Sequence, residues 1–247
     1  MSRKRFFVHP ERIRDGIASL PPDQVHHLRD VLRLGAGDQV EVFDGQGAAY
    51  LGTVDGQGSE TRITSLQKLS SAEPPHGHVT LAPALFKSDR FEWMLQKVTE
   101  LGVDEIVPLE TRFSEIRIPQ GKLDSRLERW RRIVREASKQ SRRTSIPLIL
   151  RPVKFNEFIF AERLHHLTRI LLYEKATMHW SNACLPTERV LVCIGAEGGW
   201  HADEIETALG AGFGVFSLGP TILRAETAAV AALAIIQFGM QTRKTQG

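Results

Sequence analysis

Residues 190–199 read Val-Leu-Val-Cys-Ile-Gly-Ala-Glu-Gly-Gly, an unbroken apolar run that ends in a glycine-rich loop. A second run of this kind, Val215 to Leu218, leads into Gly219-Pro-Thr-Ile-Leu-Arg-Ala-Glu-Thr227 and then an alanine-rich segment. Continuous apolar strands are typical of parallel sheets that are covered on both faces. Glycines at the carboxyl ends of such strands let a ligand approach the backbone closely. The two loops together predict one ligand pocket, although each alone also fits a tight turn.

The spacing of these glycines argues against the usual nucleotide sites. The first loop is GxxGG rather than GxGxxG, and the chain contains no GxxxxGK[ST] motif. We therefore expect a ligand without phosphate, held by backbone groups and apolar walls. The charged residues at the loops are Glu197, Arg224 and Glu226. Arg224 and Glu226 fit either a functional pair or a local ion pair at a helix start, where a carboxylate is favourable, and Glu197 fits a turn residue equally well.

From residue 79 onward, the predicted strands alternate with predicted helices. Apolar runs predict strands, and apolar residues at helical spacing predict helices. Asp89 and Glu92 resemble a capping box. The alternation predicts an α/β layer with a mostly parallel sheet. Besides the two runs above, the predicted strands are Val79–Leu85, Val103–Leu109 and Ile170–Tyr173, and the predicted helices are Asp89–Leu101, Leu123–Ser141, Asp203–Leu209 and Glu226–Met240.

The first seventy residues show a different pattern of predicted secondary structure. Short alternating strands separated by Asp-Gly turns follow a predicted helix at Gln24–Leu34, which indicates a small barrel or meander. Ser70–His78 is polar and rich in proline and glycine, as linkers are. We therefore predict two domains, residues 1–72 and residues 73–247.

Composition excludes several classes of protein. With 42% hydrophobic and 25% charged residues, the chain is neither disordered nor fibrous. Its longest apolar run, Ala228–Ile236, is too short for a membrane span, which needs about 20 residues. Cys184 and Cys193 form no disulfide framework and no metal-ligand spacing, so we expect two buried thiols, no metal site and a cytoplasmic location.

The net charge of +3 conceals two basic zones. Residues 126–143 carry eight basic and two acidic side chains, a net charge of +6, and residues 1–14 carry a net charge of +4. A solvated helix face usually mixes signs, so this excess favours a phosphate-facing surface. The sequence predicts RNA contacts in both domains. The predicted RNA-binding residues are Arg5, Arg33, Arg131, Arg132, Arg135, Lys139, Arg142 and Arg143.

Several separated motifs, in one order over nearly the whole chain, resemble the RsmE family of 16S rRNA uridine-N3 methyltransferases, which belongs to the SPOUT (trefoil-knot) superfamily. The motifs are Arg5-Phe-Phe-Val8, His26-His-Leu28, Val31-Leu-Arg-Leu34, Val42-Phe-Asp-Gly45, the block Lys87–Pro108, Glu128-Arg-Trp130, Ile194–Gly199 and Ser217–Ala228.

This resemblance implies a PUA-like or OB-like RNA-binding domain followed by a knotted α/β methyltransferase domain. It also implies a homodimer, 16S rRNA of the small ribosomal subunit as partner, and S-adenosylmethionine as cofactor. Ala196, Thr221 and Ala225 depart from the family's pattern. The cofactor-binding residues it implies are Leu172, Tyr173, Glu174, Ile194, Gly195, Glu197, Gly198, Gly199, Leu218, Gly219, Ile222, Leu223, Arg224, Thr227 and Ala228.

Methylation of uridine at N3 requires loss of a proton from a weak acid, or stabilisation of the resulting anion. We predict Glu226 as the base and Arg224 as the stabilising cation. Two other functions remain open at this point. One is a SPOUT methyltransferase that acts on another RNA, and the other is an RNA-binding ribosome-assembly factor without catalysis.

Overall fold

The computed structural model describes residues 3–56, 61–69, 77–161, 164, 166–180 and 189–244. The chain divides into two compact units, which are described separately below. The first unit comprises Met1–Pro74 and Ser138–Ile146, and the second comprises Pro75–Ala137 and Pro147–Gly247. Most of the predicted linker Ser70–His78 lies outside the described residues.

The first unit is built on a six-stranded sheet in the order β1-β4-β5-β6-β3-β2. Strand β1 is parallel to β4, and the other pairs are antiparallel. Its core consists of Phe6, Val8, Leu28, Val42 and Ile63 with their apolar neighbours. The strands are β1 (Arg5–Phe7), β2 (Ile13–Arg14), β3 (Ile17–Ser19), β4 (Gln39–Phe43), β5 (Ala49–Asp55) and β6 (Arg62–Leu69).

The predicted helix Gln24–Leu34 forms as two shorter pieces. Helix α1 (Pro22–His26) begins with proline in its first turn, where the missing N–H costs nothing. It continues into a π-helical turn, His27–Val31. Arg33 follows with a φ of +56°, a left-handed conformation that ends the helical run. A 3-10 turn at Pro10–Arg12 precedes β2.

The second unit contains a six-stranded sheet in the order β10-β8-β7-β13-β12-β14, in which every pair is parallel. A separate parallel pair consists of β9 and β11. These strands are β7 (His78–Pro83), β8 (Glu105–Ile106), β9 (Leu109–Glu110), β10 (Leu148–Ile149), β11 (Val153–Lys154), β12 (Thr168–Leu172), β13 (Arg189–Ile194) and β14 (Gly214–Phe216).

Five helices accompany these strands in the described residues. They are α2 (Ser88–Glu100), α3 (Gln120–Gln140), α4 (Phe155–Phe158), α5 (Ala202–Gly210) and α6 (Ala225–Lys244). Helix α6 packs against α2, β7 and β13. Within the described part of the chain, no helix is both long enough and apolar enough to cross a membrane.

Two local predictions for the second unit were wrong. The strand predicted at Val103–Leu109 is divided into β8 and β9, which belong to different sheets. Pro108 lies between them, and because proline has no N–H it cannot continue a ladder. The capping box is also absent from α2, whose start has no side-chain cap. Glu92 instead binds Arg129, with Arg129 Nε 2.6 Å from Glu92 Oε1.

The chain crosses over the sheet between β14 and α6. Strand β14 lies at one edge, beside β12, whereas α6 packs on β7 and β13. Immediately after β14, Ser217 N donates to Met178 O at 2.9 Å and Trp180 N donates to Ser217 O at 3.1 Å. Residues 217–224 therefore pass along the segment that follows β12 before α6 begins.

Cys193 lies within β13 and is buried, as predicted. Burial raises the pKa of its thiol, so the thiol stays protonated and unreactive. Cys184 lies outside the described residues.

Candidate functional site

A cavity of about 480 Å³ lies at the carboxyl ends of β12 and β13. Small-ligand sites are commonly about 300–1,000 Å³, so the volume fits one such ligand. Its walls are residues 172–174, which follow β12, and two segments that we call the cavity loops, residues 194–200 and 218–225. Ala228 of α6 and Arg90 of α2 complete the lining.

Glycines of the first cavity loop are required by close backbone packing. A Cβ on Gly195 would lie 3.1 Å from both the carbonyl carbon of Gly199 and Nε1 of Trp200. Gly199 has a φ of +72°, a conformation that side chains other than glycine rarely adopt. Trp200 Nε1 donates to Leu172 O at 2.9 Å, which connects this loop to the end of β12. The loop is therefore a compact wall built mainly of backbone.

Arg90 links two acidic residues at the cavity. Its Nη1 donates to Glu197 Oε1, and its Nε lies 3.9 Å from Glu226 Oε1. Glu226 is 8% exposed, and among the described residues its Oε2 has no hydrogen-bond partner. The ion-pair partner of Glu226 is thus Arg90 rather than Arg224, so the local Arg224–Glu226 pair considered above is not formed. Arg224 is exposed and lines the cavity.

Glu115 adds a further carboxyl group beside this pair. Desolvation raises the pKa of Glu115, and so does the neighbouring carboxyl group of Glu197, while the backbone of Lys87 and the charge of Arg90 oppose the shift. Two close carboxyl groups tend to share one proton, because both cannot ionise without repulsion. Of these two carboxyl groups, that of Glu197 lies in the cavity lining, whereas Glu115 is exposed and lies outside the lining.

The predicted cofactor-binding residues lie together in the structure. Fourteen of the fifteen line the cavity, and Thr227 is exposed on α6 without lining it. Ala196, Thr221 and Ala225, the departures from the family pattern, also line it. Whether each residue contacts a cofactor stays a prediction.

Sequence reasoning missed Arg90 and Trp200 as part of this site. Arg90 lies in the first turn of α2, where the helix dipole disfavours a cation. A cation at this unfavourable position, within the block Lys87–Pro108, was the feature of the sequence that could have indicated a functional role for Arg90. Trp200 follows Gly199 directly, and nothing in the sequence pattern around it indicates that its side chain lines the cavity.

The predicted RNA-binding residues of α3 and its continuation differ in exposure. Arg131, Arg132 and Arg142 are exposed, as is Arg33, while Arg135, Lys139 and Arg143 are partly buried. In the second unit, Arg131 pairs with Glu128 at 2.8 Å. In the first unit, Lys139 Nζ lies 5.7 Å from the centre of the Phe6 ring.

Arg5 lies in the interior of the first unit. It is 6% exposed, and its Nε lies 2.7 Å from Glu41 Oε1. Arg142 Nη2 reaches Glu41 Oε2 at 3.1 Å, and we call these three residues the Arg5 cluster. Burial lowers the pKa of Arg5, and Glu41 opposes that shift. This placement favours a structural role for Arg5 over the predicted RNA contact.

Comparisons with known proteins agree with this architecture. Residues 72–237 match the family model of the RNA methyltransferase domain, and residues 20–59 match that of the RNA methyltransferase PUA domain. Ribosomal RNA small subunit methyltransferase E of Synechocystis is 34% identical over 238 residues, which cover 94% of this chain and 76% of that protein. The enzyme of the same name from Rickettsia conorii is 27% identical and covers 96% of both chains.

Solved structures show the same fold. The methyltransferase E of Neisseria gonorrhoeae, bound to S-adenosyl methionine, has a TM-score of 0.87 at 28% identity, covering 96% of this chain and 98% of that one. A methyltransferase from Legionella pneumophila in complex with the same cofactor has a TM-score of 0.87 at 29% identity, with the same coverage. The fold class predicted from the sequence, a trefoil-knot methyltransferase domain after a small β-rich domain, is confirmed. Because relatives that share the name ribosomal RNA small subunit methyltransferase E match most of its length, the chain belongs to that family.

Proposed function

We propose that the protein transfers a methyl group from S-adenosylmethionine to N3 of a specific uridine in 16S rRNA of the small ribosomal subunit. The observation that carries this proposal is the cavity between the two cavity loops, at the carboxyl ends of parallel strands. Two relatives with this fold were solved with S-adenosyl methionine. The relatives that match most of the chain are named as ribosomal RNA small subunit methyltransferases.

The residues that line the cavity fit this cofactor chemically. Leu172, Ile194, Leu218 and Leu223 supply apolar walls for an adenine ring. The cofactor carries a positive sulfonium and an ammonium group, and the carboxylates of Glu174 and Glu197 lie in the lining. We assign cofactor binding to the predicted residues that line the cavity, and Thr227 is the weakest member of that set.

When bound, S-adenosylmethionine supplies an electrophilic methyl group. The protein must orient the uridine and accept its N3 proton. Arg224 lines the cavity, and we propose that it stabilises negative charge on O2 or O4 of the base. Glu226 is our proposed proton acceptor, held in place by Arg90. Because Glu226 does not itself line the cavity, we propose Glu197, which does line it, as the alternative acceptor.

For the partner, we propose that both domains contact rRNA, residues 1–72 as the PUA-like RNA-binding domain and residues 73–247 as the methyltransferase domain. Exposed Arg33 in residues 1–72, and exposed Arg131 and Arg132 in residues 73–247, support this assignment. We also propose a homodimer, because α6 exposes Ile235 and Phe238, the latter to 67%, and exposed apolar side chains three apart form one helix face. A cytoplasmic location follows from an rRNA substrate.

The test is methyl transfer to unmethylated small subunits and to naked 16S rRNA, with the product nucleotide mapped by mass spectrometry. We expect transfer to uridine N3, with kcat lower by about 100-fold in Arg224→Ala and by at least as much in Glu226→Gln. Arg189→Ala, at the amino end of β13, and Glu206→Gln, exposed on α5, are matched controls.

Each alternative predicts a different result. Methylation of another nucleotide would indicate a methyltransferase with another RNA target. Failure to bind S-adenosylmethionine in calorimetry would favour a non-catalytic RNA-binding factor. Wild-type kcat in both variants would remove Arg224 and Glu226 from the mechanism, and Glu197→Gln would then be the variant to measure.

A further inference from the structure

An exposed aromatic side chain lies directly against the first cavity loop. Phe113 is 42% exposed, and its Cβ lies so near Gly198 that a Cβ added there would be only 3.1 Å away. Gly198 lines the cavity. On its other side, the Phe113 ring centre lies 5.9 Å from that of His201. Phe113 is thus an apolar surface beside the cavity that remains open to solvent.

The turn that carries Phe113 is fixed by hydrogen bonds on both sides of it. Arg112 N donates to Glu204 Oε1 at 2.9 Å, and Glu204 is itself buried at the start of α5. Thr111 N donates to Ser114 Oγ at 2.8 Å, which closes the turn. Glu115 N donates to Leu85 O at 3.1 Å. A side chain on such a turn presents its surface in a defined place, as a binding platform requires.

The polar groups near Phe113 complement the edge of a uracil ring. Uracil presents two carbonyl acceptors on either side of the N3–H donor. Arg90 lines the cavity and supplies N–H donors, and Glu197, which Arg90 contacts, supplies an acceptor. Glu115, two residues from Phe113, lies close enough to Glu197 for the two carboxyl groups to interact. An aromatic platform next to a donor and an acceptor is how proteins bind single unstacked bases.

We propose that Phe113 is the stacking platform for the target base, at the entrance from which the base approaches the cavity. The inference rests on the proposed function and adds the residue that receives the base. A base must leave its stack to reach such a cavity, and stacking on Phe113 replaces part of the stacking that it loses.

The experiment compares Phe113→Ala with Phe113→Trp and uses Phe160→Ala as control, because Phe160 is also exposed, to 61%, and does not line the cavity. Calorimetry measures S-adenosylmethionine affinity, and steady-state kinetics on unmethylated small subunits separate kcat from KM. We expect Phe113→Ala to bind the cofactor like the wild type and to lose about 10- to 100-fold in kcat/KM. Phe113→Trp should retain efficiency within about threefold, since it keeps an aromatic face.

A direct reading of stacking comes from the tryptophan introduced at position 113. Oligouridylate should quench the fluorescence of Phe113→Trp beyond any quenching of the wild type. Equal kcat/KM for Phe113→Ala and Phe160→Ala, or no extra quenching, would overturn the inference while leaving the proposed function intact. Absence of methyl transfer by the wild type would overturn the proposed function, and the fluorescence result would still decide whether Phe113 binds a base.

Discussion

The cavity and the Arg5 cluster both collect arginine and glutamate, but they place these charges differently. At the cavity, Glu174 and Arg224 line an open space of about 480 Å³. In the Arg5 cluster, the guanidinium of Arg5 and the carboxylate of Glu41 lie 2.7 Å apart in the interior of the first unit. The charges of Glu174 and Arg224 remain available to a ligand, whereas those of Arg5 and Glu41 are paired with each other.

This difference shows why a count of basic residues does not locate a nucleic-acid surface. Arg5 contributed to the basic zone at residues 1–14, yet it is 6% exposed. Its partner Glu41 lies in β4 and is distant in sequence, so charge counting over a short window could not pair them. The two glycine-rich motifs, by contrast, do line one cavity, because glycines mark local backbone geometry that a short stretch of sequence can show.

The largest effect is expected for Glu41→Ala, which would leave Arg5 buried without its carboxylate. Removing one partner of a buried ion pair is strongly destabilising, and we expect a loss of about 3 kcal/mol in the free energy of unfolding of the first unit. Hydrogen exchange should rise in β1 and β4 and stay unchanged in β12 and β13. Affinity for S-adenosylmethionine should also stay unchanged, because Glu41 does not line the cavity.

Arg142→Ala is the matched control for this variant. Arg142 contacts the same carboxylate, but its side chain is 57% exposed, and exposed pairs contribute about 0–1 kcal/mol. Equal losses in the free energy of unfolding for Glu41→Ala and Arg142→Ala would show that burial does not determine how much these ion pairs stabilise the first unit.

A smaller effect is expected for Arg132→Ala, which tests an exposed arginine of the same basic zone. If Arg132 contacts a phosphate, RNA binding should weaken at all salt concentrations. The slope of log affinity against log salt should then fall by about one. Filter binding at several ionic strengths measures this slope, with Arg189→Ala as an exposed arginine outside the basic zones. An unchanged slope would remove Arg132 from the RNA surface.

The smallest effect is expected for Glu115→Gln, beside Glu197 of the first cavity loop. The pKa of Glu115 is raised in the folded protein, so the folded state binds its proton more tightly than the unfolded chain does. The resulting stabilisation is present at low pH and is lost as pH rises through the folded pKa. Near neutral pH the substitution should therefore raise Tm slightly, by about 1 °C, and at pH 4 it should not. Thermal unfolding at both pH values checks the sign.

Patterns within short stretches of sequence predicted most helices and strands. The predictions failed where contacts between residues far apart in the chain determine the structure. Strand β4 agrees with the short alternating strands predicted for the first seventy residues, and it ends at an Asp-Gly turn. The division of Val103–Leu109 depended on how the chain bends at Pro108, and the partner of Glu92 is Arg129 on another helix. The crossing of residues 217–224 leaves no local mark, since connections are usually unknotted; only the resemblance implied it.

The segments that form most of the cavity wall are synthesised late, after both parts of the first unit. Residues 172–174 and both cavity loops come later in the sequence than either part of the first unit. Domains form largely in the order of their synthesis. Translation therefore completes the first unit, for which we propose RNA binding, before the cavity can form. A nascent chain can meet ribosomal RNA while it still has no means of modifying it.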